Sequence, residues 1–286
     1  MIGFIGVGVM GEPICRHVAS KSGKEVRAYD IATEPLERLA AHGVKAATSV
    51  QEIAEHSEIV YLSLPGALEV KQVCVGRGSL LMHMRPGTYI LDLSTVPVAL
   101  ARDLEARFCA RGIHYVDAPV ARTRAAAEEG TLSVMVGCKE PLFARVKPWL
   151  DYFAAEVMRC GPAGAGQAMK LINNMVLFQN VAVLAEALAV IRRLGLDPAK
   201  ALEVLAKGSA DSFALRNHAM KAMLPNEFPE KAFSVAYALK DLGYALELAK
   251  VARIELTGLK SAKALLEKAA AAGHGAEYFP VIAKVV

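Results

Sequence analysis

No basic block interrupts this 286-residue chain: 33 lysines and arginines stand against 29 acids and leave a net charge of only +4. That disfavours a dedicated nucleic-acid surface, although a pocket for a small anion remains open. The five cysteines (Cys15, Cys74, Cys109, Cys138, Cys160) are scattered, odd in number and form no C-x-x-C. They read as reduced, buried thiols of a cytoplasmic protein, not as a disulfide framework. The seven histidines lack ligand spacing, so no metal is expected. No internal repeat occurs, and no low-complexity tract beyond Ala269–Ala272. The N-terminus itself reads as a strand, so no signal peptide is expected. The longest apolar run, Met175–Ile191, contains Gln179, Asn180 and Glu186 and falls short of the roughly 20 residues a membrane span needs. It reads instead as a helix buried between protein layers or between subunits, which predicts a homodimer or homotetramer and no membrane partner.

What is present is a globular composition, 54% hydrophobic and 22% charged, long enough for one large or two ordinary domains. Strand patterns at 1–5, 25–30, 58–64, 88–93, 113–117 and 132–136 alternate with helical ones up to about residue 160. This rhythm predicts a mainly parallel, doubly wound sheet with helices on both faces, an α/β Rossmann domain over 1–161. Gly161-Pro-Ala-Gly-Ala-Gly166 reads as a linker, and the remainder, 162–286, reads as an all-α domain led by a long interdomain helix. That helix, about Gln167–Leu194, would be roughly 40 Å long at about 1.5 Å per residue. Gly195 stops it, and Asp197-Pro198 is an N-cap followed by proline at the first helical position. Further helices are expected around 198–207, 212–223, 231–252 and 258–272.

The first eleven residues carry the sharpest signal. An apolar strand runs straight into Gly6-Val-Gly8-Val9-Met10-Gly11, and a helix follows. Gly6 would permit a tight turn, Gly8 the approach of a pyrophosphate to the backbone, and Gly11 close packing of helix on strand. The helix N-terminus would face the phosphates with its N–H groups. A second strand ends in Asp30, 19 residues after Gly11, placed to accept hydrogen bonds from the adenosine ribose hydroxyls. Ile31, Ala32 and Thr33 follow, with no arginine for a 2′-phosphate, so NAD is expected over NADP. Asp30 could equally act as an N-cap of the helix Thr33–Ala41, and both roles can coexist.

Polar residues past the strand ends should line a cleft between the domains: Ser94-Thr95, the segment Asp117–Thr123, and the start of the long helix. There Lys170 and Asn174 stand four residues apart on one stripe, with Gly166 a turn earlier leaving open space and Asn173 alongside. A lysine near an apolar surface loses solvation, which suits it to proton transfer near neutrality. Spacing alone supports as readily a snorkelling lysine beside a capping asparagine pair.

These residues resemble the β-hydroxyacid dehydrogenase family, the group that includes 3-hydroxyisobutyrate dehydrogenase and tartronate semialdehyde reductase. Gly6-Val-Gly-Val-Met-Gly11 is similar to its cofactor loop and Asp92-Leu-Ser-Thr95 to its second cofactor segment. Asp117-Ala-Pro-Val120 with Gly130-Thr-Leu132 is similar to its substrate loop, Gly166-Gln-Ala-Met-Lys170-Leu-Ile-Asn-Asn174 to its catalytic helix, and Phe233 with Lys240-Asp241 to a late cleft motif. The resemblance spans essentially the whole chain. It implies hydride transfer between a nicotinamide and a small β-hydroxyacid or its semialdehyde, with Lys170 as general acid and base. It further implies that Asn174 orients substrate and Lys170, that Thr95 touches the nicotinamide, and that Lys240 lines the ribose or the cleft wall. The expected cofactor set is Gly6, Gly8, Val9, Met10, Gly11, Asp30, Ile31, Leu64, Pro65, Thr95 and Lys240. The expected substrate set is Ala121, Arg122, Thr123, Asn173 and Phe233.

The chain departs from the family where many members have Ser-Gly-Gly; here the loop reads Ala121-Arg122-Thr123. A guanidinium is a planar, permanently charged donor set, which favours a second or stronger oxyanion on the substrate. In this loop the chain is similar to the sulfolactaldehyde reductase branch, though Ala121 stands where that branch usually has glycine. A dicarboxylate semialdehyde would use the same arginine. Alternatively, Arg122 points to solvent and only neutralises Glu128 or Glu129. Plain 3-hydroxyisobutyrate or tartronate semialdehyde chemistry is the second enzymatic reading, imine reduction a third, and a non-catalytic NAD-binding module the reading of another class.

Overall fold

The computed structural model describes residues 1–230 and 232–286; the first residue of the helix expected over 231–252 lies outside them. Two compact units are formed, Met1–Lys170 and Leu171–Val286. In the first unit the strands are β1 (Ile2–Ile5), β2 (Val26–Tyr29), β3 (Lys45–Ala46), β4 (Ile59–Leu62), β5 (Tyr89–Asp92), β6 (His114–Asp117), β7 (Val120–Ala121), β8 (Leu132–Gly137) and β9 (Ala154–Gly161). They form one sheet in the order β3-β2-β1-β4-β5-β6-β8-β7, with β9 paired to β8. Pairing is parallel throughout β3 to β6 and between β8 and β9, whereas β8 runs antiparallel to β6 and β7. The helices α1 (Gly11–Ser22), α2 (Glu34–Ala40), α3 (Val50–His56), α4 (Ala67–Val75), α5 (Leu80–His83), α6 (Val98–Cys109), α7 (Arg124–Glu129) and α8 (Glu140–Leu150) connect the strands. This is the Rossmann architecture that the sequence rhythm predicts.

The period-2 alternation of strand side chains sorts the core into two layers. Phe4, Ile59, Tyr61, Leu91 and Val116 join Ile14, Val18 and Phe153 on one face. Their neighbours Ile5, Val60, Leu62, Ile90 and Tyr115 join Ile53, Leu104 and Phe108 on the other. Because both faces are covered, the strands read as continuous apolar runs, and the carboxyl ends of β1, β4, β5 and β6 are left as the polar rim.

The helix α9 (Ala165–Arg193) starts in the first unit and continues into the second. Gly195, at φ 70°, follows its end. Asp197 caps α10 (Pro198–Leu205) by accepting from the N–H groups of Ala199 and Lys200 at 2.9 and 3.3 Å. Then come a π-helical stretch, Leu215–Met223, and the helices α11 (Val235–Ala252) and α12 (Thr257–Ala269). Helix α9 is long and apolar enough, by length and composition alone, to cross a membrane. Phe178, Val181, Ala185 and Leu188 are buried along it, while Met169, Ile172, Val176, Val183 and Val190 form an exposed stripe at three- and four-residue intervals, or multiples of them. Two of the five thiols depart from expectation: Cys109 is exposed and Cys160 is partly so.

Candidate active site

The three glycines of the first loop meet three different surroundings. A Cβ on Gly6, which sits at φ 89°, would lie 2.3 Å from the Ser63 carbonyl oxygen, and one on Gly11 would lie 2.1 Å from the Gly6 carbonyl oxygen. A Cβ on Gly8 would meet nothing within 4 Å. The first and third glycines are therefore demanded by the fold, and the second leaves space for something outside it. No side chain caps α1 at Met10; the Glu12 N–H is taken by the Gly8 carbonyl at 2.9 Å and Pro13 has none, so what α1 offers the open space beside Gly8 is chiefly its positive dipole end. Val9 is exposed and Met10 half-buried. These features fit the pyrophosphate of a dinucleotide. The one acid in the first turn, Glu12, is held by both guanidinium arms of Arg38 at 2.7 Å, which lowers its pKa and neutralises it.

Asp30 stands directly after β2. Its carboxylate accepts from the N–H of Val7 at 2.6 Å and of Ala32 at 2.9 Å. It thus ties the glycine loop to the next strand, while Thr33, not Asp30, stands at the N-cap position of α2, without a side-chain hydrogen bond to the helix. Ile31 beside it is 94% exposed, an apolar surface with nothing of its own fold to cover.

At the ends of β4 and β5 a buried polar network fixes the Ser94-Thr95 segment. Asp92 accepts from the N–H of Ser94 at 2.9 Å and from the Tyr115 hydroxyl at 2.6 Å; burial pushes its carboxyl upward. The Ser94 hydroxyl in turn accepts from the N–H of Leu64 at 3.0 Å, which links the Leu64-Pro65 turn to Ser94-Thr95. Pro65 is exposed and Thr95 half-buried.

At the end of β6 and the start of α9 the structure departs from expectation twice. Asp117, part of the apparent substrate loop, turns its carboxylate to the first turn of α9. It accepts from the N–H groups of Gly164 and Gln167 at 2.7 and 2.9 Å, and burial pushes its pKa up to about 6. Gly166 leaves no open space: a Cβ there would lie 2.3 Å from the Met135 carbonyl oxygen and 2.8 Å from Asp117 Oδ2. The helix is seated so closely on β6 and β8 that only glycine fits.

Further along the loop, Ala121 is buried and pairs with Ser133 in the sheet. The Thr123 hydroxyl accepts from the N–H of Ala126 and caps α7. Arg122 adopts φ 88°, a left-handed conformation in which glycine is ordinary and arginine is not. Its side chain is exposed and donates to the Thr131 carbonyl at 2.8 Å. Glu128 is paired instead with Arg16 and Arg124.

Lys170, half-buried, closes the first unit. One turn on, in the second unit, Asn174 is 2% exposed and donates to Asp241 Oδ2 at 2.8 Å, while Asn173 donates to Asn174 Oδ1 at 3.1 Å. The Lys240 ammonium lies 3.1 Å from Asp241 Oδ1 and over the rings of Tyr237 and Tyr244. Phe233 stacks between Phe178 and Tyr237 and meets Phe279 edge-on. So Asn174 and Lys240 meet at one buried carboxylate, and Asn173 is linked to it through Asn174. Asp241 and Gln167, quoted within motifs but given no task by sequence reasoning, turn out to organise their neighbours.

Known proteins match the chain from end to end. Residues 1–161 match the NAD binding domain of 6-phosphogluconate dehydrogenase, and residues 164–286 match the NAD-binding domain of NADP-dependent 3-hydroxyisobutyrate dehydrogenase. A 2-(hydroxymethyl)glutarate dehydrogenase from Eubacterium barkeri is 35% identical over 99% of this chain and 94% of its own. A solved 3-hydroxyisobutyrate dehydrogenase from Salmonella typhimurium superimposes with a TM-score of 0.89 at 28% identity, over 100% and 99% of the two chains. That of Mycobacterium tuberculosis, solved with L-serine, gives 0.88 at 30% identity over 99% and 98%.

Proposed function

The chain belongs to the β-hydroxyacid dehydrogenase family, as an NAD(P)-dependent oxidoreductase of small hydroxyacids, and from that premise we propose that it uses NAD and acts on a substrate bearing a second anionic group. A bound nicotinamide would supply or accept the hydride. The chain's own residues bind, orient and move one proton. In reduction Lys170 donates its proton to the carbonyl oxygen of the semialdehyde; in oxidation it takes the proton back from the hydroxyl. Asn173 and Asn174 arrange the substrate beside it, with Asn174 itself held by Asp241. Thr95 with Leu64 and Pro65 borders the nicotinamide end, and Gly6, Gly8, Val9, Met10 and Gly11 hold the pyrophosphate. Asp30 and Ile31 take the adenosine, and in the second unit Lys240 is assigned to the ribose and Phe233 to the substrate.

Preference for NAD rests on Asp30. A 2′-phosphate would meet its carboxylate, and Arg38, on the helix that follows β2, is already committed to Glu12. The substrate class rests on Arg122. A left-handed arginine costs on the order of 1–3 kcal/mol of strain, which persists only where something over-determines it. Its guanidinium, anchored by one nitrogen to Thr131, keeps further donors for a sulfonate or carboxylate. The Eubacterium relative's name, 2-(hydroxymethyl)glutarate dehydrogenase, describes a β-hydroxyacid with a second carboxylate. We expect Arg122→Gly to raise KM for the anionic aldehyde about 10- to 100-fold, of the order of one lost charge-assisted contact, with NADH affinity and Tm not reduced.

The test is NADH oxidation at pH 7, with NADPH in parallel, against sulfolactaldehyde, succinic semialdehyde, methylmalonate semialdehyde and tartronate semialdehyde. Preference for either of the first two with NADH supports both assignments. Best turnover of methylmalonate or tartronate semialdehyde would turn Arg122 away from the substrate and leave an ordinary hydroxyisobutyrate or tartronate enzyme. Silence on all four, with NADH still bound, would support a non-catalytic module. The exposed apolar stripe of α9 is proposed as a contact between copies of the chain, in a homodimer or homotetramer; a monomeric mass by light scattering at micromolar concentration would contradict it.

A further inference from the structure

Gln167 is wholly buried, an unusual place for a carboxamide. Its Oε1 accepts from the N–H of Val96 at 3.0 Å and its Nε2 donates to the carbonyl of Ser94 at 2.8 Å. The two bonds bracket one residue, Thr95, and mimic the pairing that a neighbouring strand would give. The Gln167 backbone N–H is meanwhile fixed by Asp117 Oδ2 at 2.9 Å. The same residue therefore holds the first turn of α9 to the end of β6, and the segment after β5 to α9. Lys170 lies three residues further along that helix, on an adjoining part of its surface.

We propose that Gln167 is a positioning residue: by clamping the backbone on both sides of Thr95 to the helix that carries Lys170, it sets the cofactor segment and the proton donor in one register. The inference rests on the dehydrogenase reading, since register matters only if Thr95 borders the nicotinamide and Lys170 moves the proton. A misplacement of about an ångström is enough to cost roughly 100-fold in such a step.

Two variants separate positioning from mere packing. Gln167→Met keeps the volume and loses both bonds. Gln167→Glu keeps the acceptor for Val96 and, when protonated, regains a donor toward Ser94. Asp92 and Asp117, two buried carboxylates on the same network, raise the pKa of a glutamate placed there, so the donor returns as pH falls. Because burial pushes the Asp117 carboxyl up to about 6, the readout is the ratio of variant to wild-type kcat at each pH. We expect Gln167→Met to lose 10- to 100-fold in kcat at every pH with less change in substrate KM. We expect the Gln167→Glu ratio to rise at least fivefold between pH 9 and pH 6.5. A flat ratio, or kcat within twofold of wild type in both variants, overturns the proposal.

Hydrogen exchange of the segment 94–96, read by mass spectrometry on the unliganded protein, tests the clamp without turnover. Faster exchange in Gln167→Met with Tm preserved to within a few degrees supports it; unchanged exchange refutes it. A wild-type protein that turns over no hydroxyacid sinks the dehydrogenase reading, a result that neither exchange outcome can imitate.

Discussion

Lys170→Ala is expected to lower kcat by about 100- to 10,000-fold, the usual contribution of a positioned acid or base, while the Kd for NADH stays within about twofold. The split follows from placement. Lys170 stands on α9, whereas the loop that would hold the pyrophosphate is built from β1, α1 and Asp30. Loss of an interaction made only in the transition state lowers kcat and kcat/KM together. Lys170→Arg should not rescue either direction. A guanidinium keeps the charge but does not give up its proton near neutrality, so oxidation lacks a base and reduction lacks an acid. Steady-state kinetics in both directions and a fluorescence titration with NADH make the measurement. Should Lys170→Ala retain a tenth or more of wild-type kcat, the proton travels by another group. If Lys170→Arg were as active as wild type, the residue would contribute charge alone.

The Rossmann half was legible because its signal is periodic and local. Strands covered on both faces read as short apolar runs, and the edges of β1, β4, β5, β6 and β8 fall within a residue or two of expectation. The pieces that escaped are short or edge-bound. Strands β3 and β7 have two residues each, and β9, reading Ala-Ala-Glu-Val-Met-Arg-Cys-Gly, is half exposed and shows no clean alternation. The π-helical character of Leu215–Met223 has no signature in composition; the pattern expected over 212–223 names a helix and not its pitch.

At the site, glycines told more than polar residues did. The motif order assigns different tasks to Gly6, Gly8 and Gly11; the fold itself demands Gly6 and Gly11 and leaves open space at Gly8. Gly166 reads as empty space in the sequence but meets the backbone of β8, since a glycine that admits a ligand and one that admits a backbone look alike in sequence. Asp117 and Gln167 illustrate a second limit. Their tasks lie with residues about 50 and 70 positions away, and nothing short of the folded topology brings those partners together. Arg122 is a third: an arginine at φ 88° announces itself only once the backbone is seen, because the residue type argues against the conformation.

The glycine loop gives the other large effect, in the form of two substitutions that differ by three positions and should fail in opposite ways. Gly8→Ala is expected to fold with an unchanged Tm, or one slightly raised, because its new methyl meets nothing within 4 Å and alanine reduces the freedom of the unfolded chain. The same methyl occupies the space a pyrophosphate would approach, so NADH affinity should fall about 100-fold or more, close to 3 kcal/mol. Gly11→Ala is expected to do the reverse. Its methyl would sit 2.1 Å from the Gly6 carbonyl oxygen and 3.2 Å from Ser63 Cβ. Helix α1 must therefore shift off β1, at about 1–3 kcal/mol or more, and Tm should drop by roughly 5–10 °C in the unliganded protein. Thermal melts with and without NADH distinguish the cases. Wild type should gain Tm on adding NADH, since a ligand that binds only the folded state stabilises it by mass action; Gly8→Ala should keep the baseline and lose the gain; Gly11→Ala should lose the baseline itself. If Gly8→Ala still gained the full increment, the pyrophosphate would not pass over Gly8, and the open space at the end of α1 would be serving something other than a dinucleotide.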